Sequence, residues 1–192
     1  MFDKTLISPM NRAAMFVGKA LSEVVRITAQ TGIILTLGYL LVVLKPGAPA
    51  AQYLQTGAVG VLGIVVVTVI FGGVFMAYSN IVALVTRDRE ATVMIANLLT
   101  FPLLFISSAF LPLEILPGWI QSVAVANPIT YGVDGIRALM LGQDVMSVFE
   151  VTAFAGLWNT VLPAVVVLFG FNIALGGIAV GLLKRASKAA VQ

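Results

Sequence analysis

Few side chains in this sequence can do chemistry, and their types exclude most of it. The 192 residues contain no cysteine and no histidine. That removes disulfides, thiolate and imidazole metal ligands, cysteine nucleophiles and the usual neutral-pH proton shuttle. Eight carboxylates and eleven Lys and Arg remain, and the carboxylates show no paired arrangement inside an apolar run that general acid and base work would use. The phosphate-cradling pattern G-x-x-x-x-G-K-[ST] is absent, because the only Gly-Lys pair, Gly18-Lys19, lacks the earlier glycine and is followed by Ala20.

What remains is hydrogen bonding and close packing. Asn97, Thr100, Ser107 and Ser108 share one broad helical stripe with Leu104 and Leu111. They read either as interhelical hydrogen bonds and back-bonds to the preceding turn, or as a wall facing a translocated molecule or a second subunit. Pro102 in the same run is expected to kink it. Gly170, Ala174, Gly177 and Gly181 form a strip of small residues along which another helix can approach closely, and packing within the same subunit is the favoured use. Asn172 reads as interhelical glue, and Asp134 with Arg137, at i and i+3, as a local ion pair.

The elements that hold these residues follow from composition. Hydrophobic residues make up 60% of the chain and charged ones 10%, against roughly 45–50% and 25% in soluble domains. Such a chain needs lipid as its solvent. A helix crossing the hydrocarbon takes about 20 apolar residues, which predicts an all-α integral membrane protein with spans at about 24–44, 57–84, 91–112 and 157–183. The run at 115–133 is broken by Pro117, Gly118, Asn127 and Pro128, so 113–150 is expected as short helices that lie on or dip into the outer face. With four spans, Lys4, Arg12, Lys19, Arg26, Arg87, Arg89, Lys184, Arg185 and Lys188 share one side and only Lys45 and Arg137 the other. That bias predicts both termini in the cytoplasm. The basic residues end apolar runs instead of forming a patch, so the net charge of +3 implies a lipid bilayer and no nucleic acid. The N-terminus has no secretory-signal pattern, and one transmembrane domain over 1–192, opening with a cytoplasmic segment at 1–20, is the simplest organisation.

Two strings go further than composition. FPLLFISSAFLPLEILPGWI and NPITYGVDGIRALMLG (within residues 101–142) resemble the characteristic part of the type-2 exporter permeases of ATP-binding-cassette (ABC) transporters, including drug-resistance and polysaccharide-export permeases. The matching residues are Pro102, Ser107, Ser108, Pro112, Leu116, Pro117, Trp119, Asn127, Pro128, Thr130, Tyr131, Asp134 and Arg137. Upstream, LISPMNRAAMFVGKAL is similar to that family's cytoplasmic segment, through Ser8, Pro9, Arg12, Gly18 and Lys19.

The resemblance implies a membrane-spanning permease subunit that moves substrate outward by alternating access. It implies a separate cytoplasmic ABC ATPase as the partner, with ATP and Mg on that partner and no cofactor on this chain. A homodimer or heterodimer of permease subunits in the cell (inner) membrane is implied as well. Family members usually have six spans, so the four here are expected to be the last four. The segment with Leu6, Ser8, Pro9 and Arg12 is then the candidate ATPase-coupling contact, against a plainer reading of Arg12 as a positive-inside anchor. A different class remains open at this stage: a small oligomeric channel or membrane assembly protein not driven by ATP.

Overall fold

The computed structural model describes residues 12–44, 54–86 and 88–189. Among them the chain is helical, with six α-helices: α1 (Arg12–Val43), α2 (Gly57–Thr86), α3 (Arg89–Phe105), α4 (Gly118–Ala124), α5 (Pro128–Leu141) and α6 (Trp158–Ala189). A single 3-10 turn, Leu113–Ile115, precedes α4. Three stretches among the described residues are long and apolar enough to cross a membrane: Gly18–Val43, Gly57–Thr86 and Trp158–Leu183. They coincide with the first, second and last expected spans.

The third expected span differs. Helix α3 has 17 residues, so it measures about 25 Å at 1.5 Å per residue, and it ends at Phe105 where a helix to residue 112 was expected. Its start is well defined: the Asp88 carboxylate caps it by accepting from the Glu90 N–H at 3.0 Å. Thr86 and Thr92 join across the preceding corner with hydroxyls 2.6 Å apart. Pro102 lies in the last turn, and the backbone leaves the helix at Ile106, whose N–H donates to the Pro102 carbonyl at 3.0 Å.

Helices α2 and α6 pack side by side, and α5 lies against both. The core between them holds Ile64, Val67, Val74, Tyr131, Ala138, Leu139, Val161, Ala164 and Leu168. Its close approach depends on Gly135, where a Cβ would meet Ala164 and Val67, each at 3.4 Å. Helices α1 and α3 attach mainly to α2 and leave most of their apolar side chains exposed, as lipid contact requires.

The depth of α5 follows from its neighbours. Gly132 faces Phe71, Gly135 faces Val67, and Leu139 faces Gly63 and Gly60. Helix α5 therefore starts beside the middle of α2 and runs antiparallel to it, back to the end at which α2 begins. Of its 14 residues, eight are buried, so this helix dips into the bundle and does not lie flat on its face. The expected breaks at Pro117 and Asn127-Pro128 stand where they were predicted, as the residues immediately before or at the starts of α4 and α5.

Candidate functional site

Helix α5 places three polar side chains in a setting that would penalise them unpaired. Asn127 is 1% exposed and acts at both sides of a chain break. Its Oδ1 accepts from the Ile129 N–H at 3.0 Å, capping α5, while its Nδ2 donates to the Leu103 and Ile106 carbonyls at 2.6 and 3.2 Å. Those carbonyls belong to the frayed end of α3, where the helix no longer supplies donors. One carboxamide thus satisfies the end of one helix and the start of another. Pro128 completes the local logic, since the first helical position needs no N–H donor.

Two turns further along α5 in the same buried wall, Asp134 is fully buried. Its Oδ1 accepts from Ser108 Oγ at 2.7 Å, and its Oδ2 from the Ser147 N–H and Oγ at 2.9 and 2.6 Å. The carboxyl group ties the turn after α3, helix α5 and the α5–α6 loop together. No ion pair joins it to Arg137 among the described residues. The Arg137 guanidinium donates instead to the Ala109 carbonyl at 3.3 Å. The expected i, i+3 pair is absent because the two side chains reach different partners in the same turn.

Tyr131 is buried and donates its hydroxyl to the Val125 carbonyl at 2.7 Å, which fixes the α4–α5 corner. Beyond α5, Gly142 takes a left-handed φ of 68° to end the helix. Asp144 then accepts from the Thr160 hydroxyl at 2.5 Å, and Thr160 in turn accepts from the Val145 N–H at 2.9 Å.

The polar residues of the stripe on the third run take different partners. Thr100 and Ser107 back-bond to the Ala96 and Leu104 carbonyls, each at 2.7 Å. Asn97 is exposed, and only Ser108 reaches across to another element. Trp119 on α4 is 65% exposed, next to Pro117 at the helix start. On α6, Gly170, Ala174, Gly177 and Gly181 are all exposed, and a Cβ on any of the three glycines would meet nothing within 4 Å. Among the described residues no other helix packs on this strip, and other faces of α6 hold the core. Leu6, Ser8 and Pro9 lie outside the described residues, and α1 begins at Arg12.

Sequence reasoning missed Ser147, Asp144 and Thr160. The signal for Asp144 was present, since Gly142 followed two residues later by Asp marks a helix end and an Asx turn, with the Met146 N–H on Asp144 at 3.2 Å. Nothing local marked Ser147, whose partner lies 13 residues away.

Long apolar helices, a buried helix that dips between them, and a polar seat holding that helix in place define a multi-pass membrane protein. Residues 1–141 match the family described as ABC-2 type transporter, and the chain belongs to that family. Among similar proteins is the daunorubicin resistance ABC transporter permease protein DrrB1 of Streptomyces coeruleorubidus, 28% identical over 141 residues, or 73% of this chain and 47% of that one. Nodulation protein J of Rhizobium meliloti is 31% identical over 102 residues, covering 53% of this chain and 39% of its own. The probable multidrug ABC transporter permease YbhR of Escherichia coli K12 is 22% identical over 165 residues, 86% of this chain and 40% of that one. The chain spans less than half the length of these relatives. No solved structure matches it.

Proposed function

We propose that this chain is a membrane-spanning permease subunit of an ATP-driven ABC exporter. The observation that carries the reading is the family match over residues 1–141, which includes the α5 seat. In this reading α3 and the turn after it make a fourth crossing, and both termini face the cytoplasm across the inner membrane. The nine-to-two distribution of Lys and Arg supports that orientation. A separate cytoplasmic ATPase holds ATP and Mg and drives alternating access through the segment at Leu6 to Arg12. Asn97, Thr100, Ser107 and Ser108 are not grouped into a substrate wall in this reading. Ser108 serves the α5 seat, and the exposed small-residue strip on α6 serves subunit pairing.

The seat gives the bundle a rigid half. Asn127, Asp134 and Tyr131 hold the α3–α5 segment as one unit, which a transporter needs if a movement at its cytoplasmic end is to be transmitted and not absorbed. Two measurements test the proposal. Co-purification from the native membrane is expected to recover an ABC ATPase, and ATP turnover by that complex should fall when Arg12→Lys replaces the planar donor fork with a point charge. Solubilised protein that carries no ATPase and passes solutes in liposomes without ATP would replace the pump with a channel.

A further inference from the structure

Between α2 and α6, over the halves that lead to Thr86 and Lys184, lies a cavity of about 630 Å³. Its size falls in the range of small-molecule sites, roughly 300–1,000 Å³. The wall is made of small and apolar side chains, among them Gly73, Ala77, Gly176 and Ala179, and no charged residue lines it among the described ones. Two carboxamides interrupt this surface, Asn80 and Asn172. Asn172 spends its Nδ2 on the Ile70 and Leu168 carbonyls at 2.8 and 2.9 Å, so its Oδ1 is left without a donor among the described residues. Asn80 makes no side-chain hydrogen bond among them. A polar group at that depth in a spanning helix is costly unless something pairs with it.

We infer that this cavity binds an uncharged, largely apolar molecule that carries a hydroxyl or amide donor. The described wall carries no charge, and with nothing on it to offset an ion's desolvation it favours a neutral guest. The Oδ1 atoms of Asn80 and Asn172 ask for a donor, which a lipid acyl chain lacks. The Asn172 to Ile70 bond ties the two helices together at one end of the cavity. Beyond it, towards Gly57, a second apolar cavity of about 360 Å³ lies between Gly63, Leu139 and Val161. In the proposed orientation the chamber lies in the cytoplasmic half. The inference rests on the permease reading for its purpose, as a loading site for substrate, but binding itself requires no nucleotide.

The test uses the full chain in phosphatidylcholine nanodiscs with 4-(hydroxymethyl)benzophenone, a neutral photoreactive alcohol, followed by peptide mapping. Saturable adducts are expected on residues 73–84 and 172–183. Diphenylmethanol should compete for them and the tetraphenylphosphonium cation should not. Asn80→Leu should weaken labelling about tenfold, the effect of one lost buried hydrogen bond. Gly176→Phe should abolish labelling by filling the chamber; a Cβ at Gly176 meets nothing within 4 Å, so the change fits the fold. Labelling that rises linearly with probe, or that Gly176→Phe leaves unchanged, would overturn the site in favour of partition into lipid. Competition by the cation would overturn the ligand class. A transmembrane helix trapped by disulfide at Ala77→Cys in native membranes would overturn it as well, by making the chamber a helix seat. Loss of the ATPase from the complex would sink the permease reading and leave these adducts in place, so the two failures are distinguishable.

Discussion

The two halves of the α2–α6 pair are built on opposite plans. Towards Gly57, α5 fills the space against both helices, and the buried polar groups Asn127 and Asp134 each have several partners. Towards Thr86 no helix among the described residues fills the corresponding space, and Asn80 and part of Asn172 face a cavity. The same two helices are thus held rigidly at one end and left open at the other. What separates the halves is not hydrophobicity, which is high throughout, but where the carboxamides and the carboxylate go: Asn127 and Asp134 are spent on several partners, beside a buried Thr130 hydroxyl that has none among the described residues, whereas Asn80 and the Asn172 Oδ1 face the cavity. In lipid that distinction decides which part is fixed and which is free to take a ligand or move.

Substitutions that remove polar partners should therefore have opposite consequences in the two halves. The largest effect is expected from Asp134→Ala, which strands two serine hydroxyls and one N–H in the bundle and should destabilise it by about 3–5 kcal/mol. The matching change in the open half, Asn80→Leu, should leave stability within about 0.5 kcal/mol of the parent or raise it. Denaturant titration of both variants in mixed micelles reads the contrast, and equal losses would erase it.

Asn127→Ala comes next. It removes the cap of α5 and two donors to the α3 end, for an expected loss of about 2–3 kcal/mol. Hydrogen exchange should rise at residues 103–106 and 128–131 and stay unchanged over 172–183. Gly132→Ala ranks third, since a Cβ there would lie 2.7 Å from the Phe71 ring; about 1–2 kcal/mol is expected from the overpacking. Gly177→Ala on the open strip should cost nothing in the isolated subunit, and a drop in oligomer content there would mark the strip as an interface.

Among the substitutions of the closed half the smallest loss is expected from Tyr131→Phe, about 1 kcal/mol for the lost bond to the Val125 carbonyl. The same denaturant titration reads it, and an unchanged midpoint would show that the hydroxyl does not hold the α4–α5 corner.

How far these features were legible in sequence depends on how local their causes are. The breaks at Pro117 and Asn127-Pro128 come from residues whose backbone chemistry acts within a turn, and they stand where that chemistry puts them. The three long spans follow from apolar length alone. The early end of α3 was not legible, because the run stays apolar past Phe105 and the groups that satisfy its last carbonyls sit on Asn127, more than 20 residues on. Asp134 and Arg137 looked like a pair because spacing sees only the helix. Ser108, Ser147 and Ala109 compete for them in three dimensions. The α6 strip has a similar limit, since spacing identifies a surface suited to close approach but not which neighbour makes it.

Accessibility at two alanines tests the central contrast most directly. The chain has no native cysteine, so a single introduced thiol is the only site for a maleimide. Ala83 lines the open chamber and Ala138 is fully buried against α5's neighbours. In inside-out vesicles a membrane-impermeant maleimide should label Ala83→Cys readily and leave Ala138→Cys unmodified until the protein is denatured. Comparable labelling of both positions in the folded protein, or labelling of Ala138→Cys alone, would contradict a bundle closed at the Gly57 end and open at the Thr86 end.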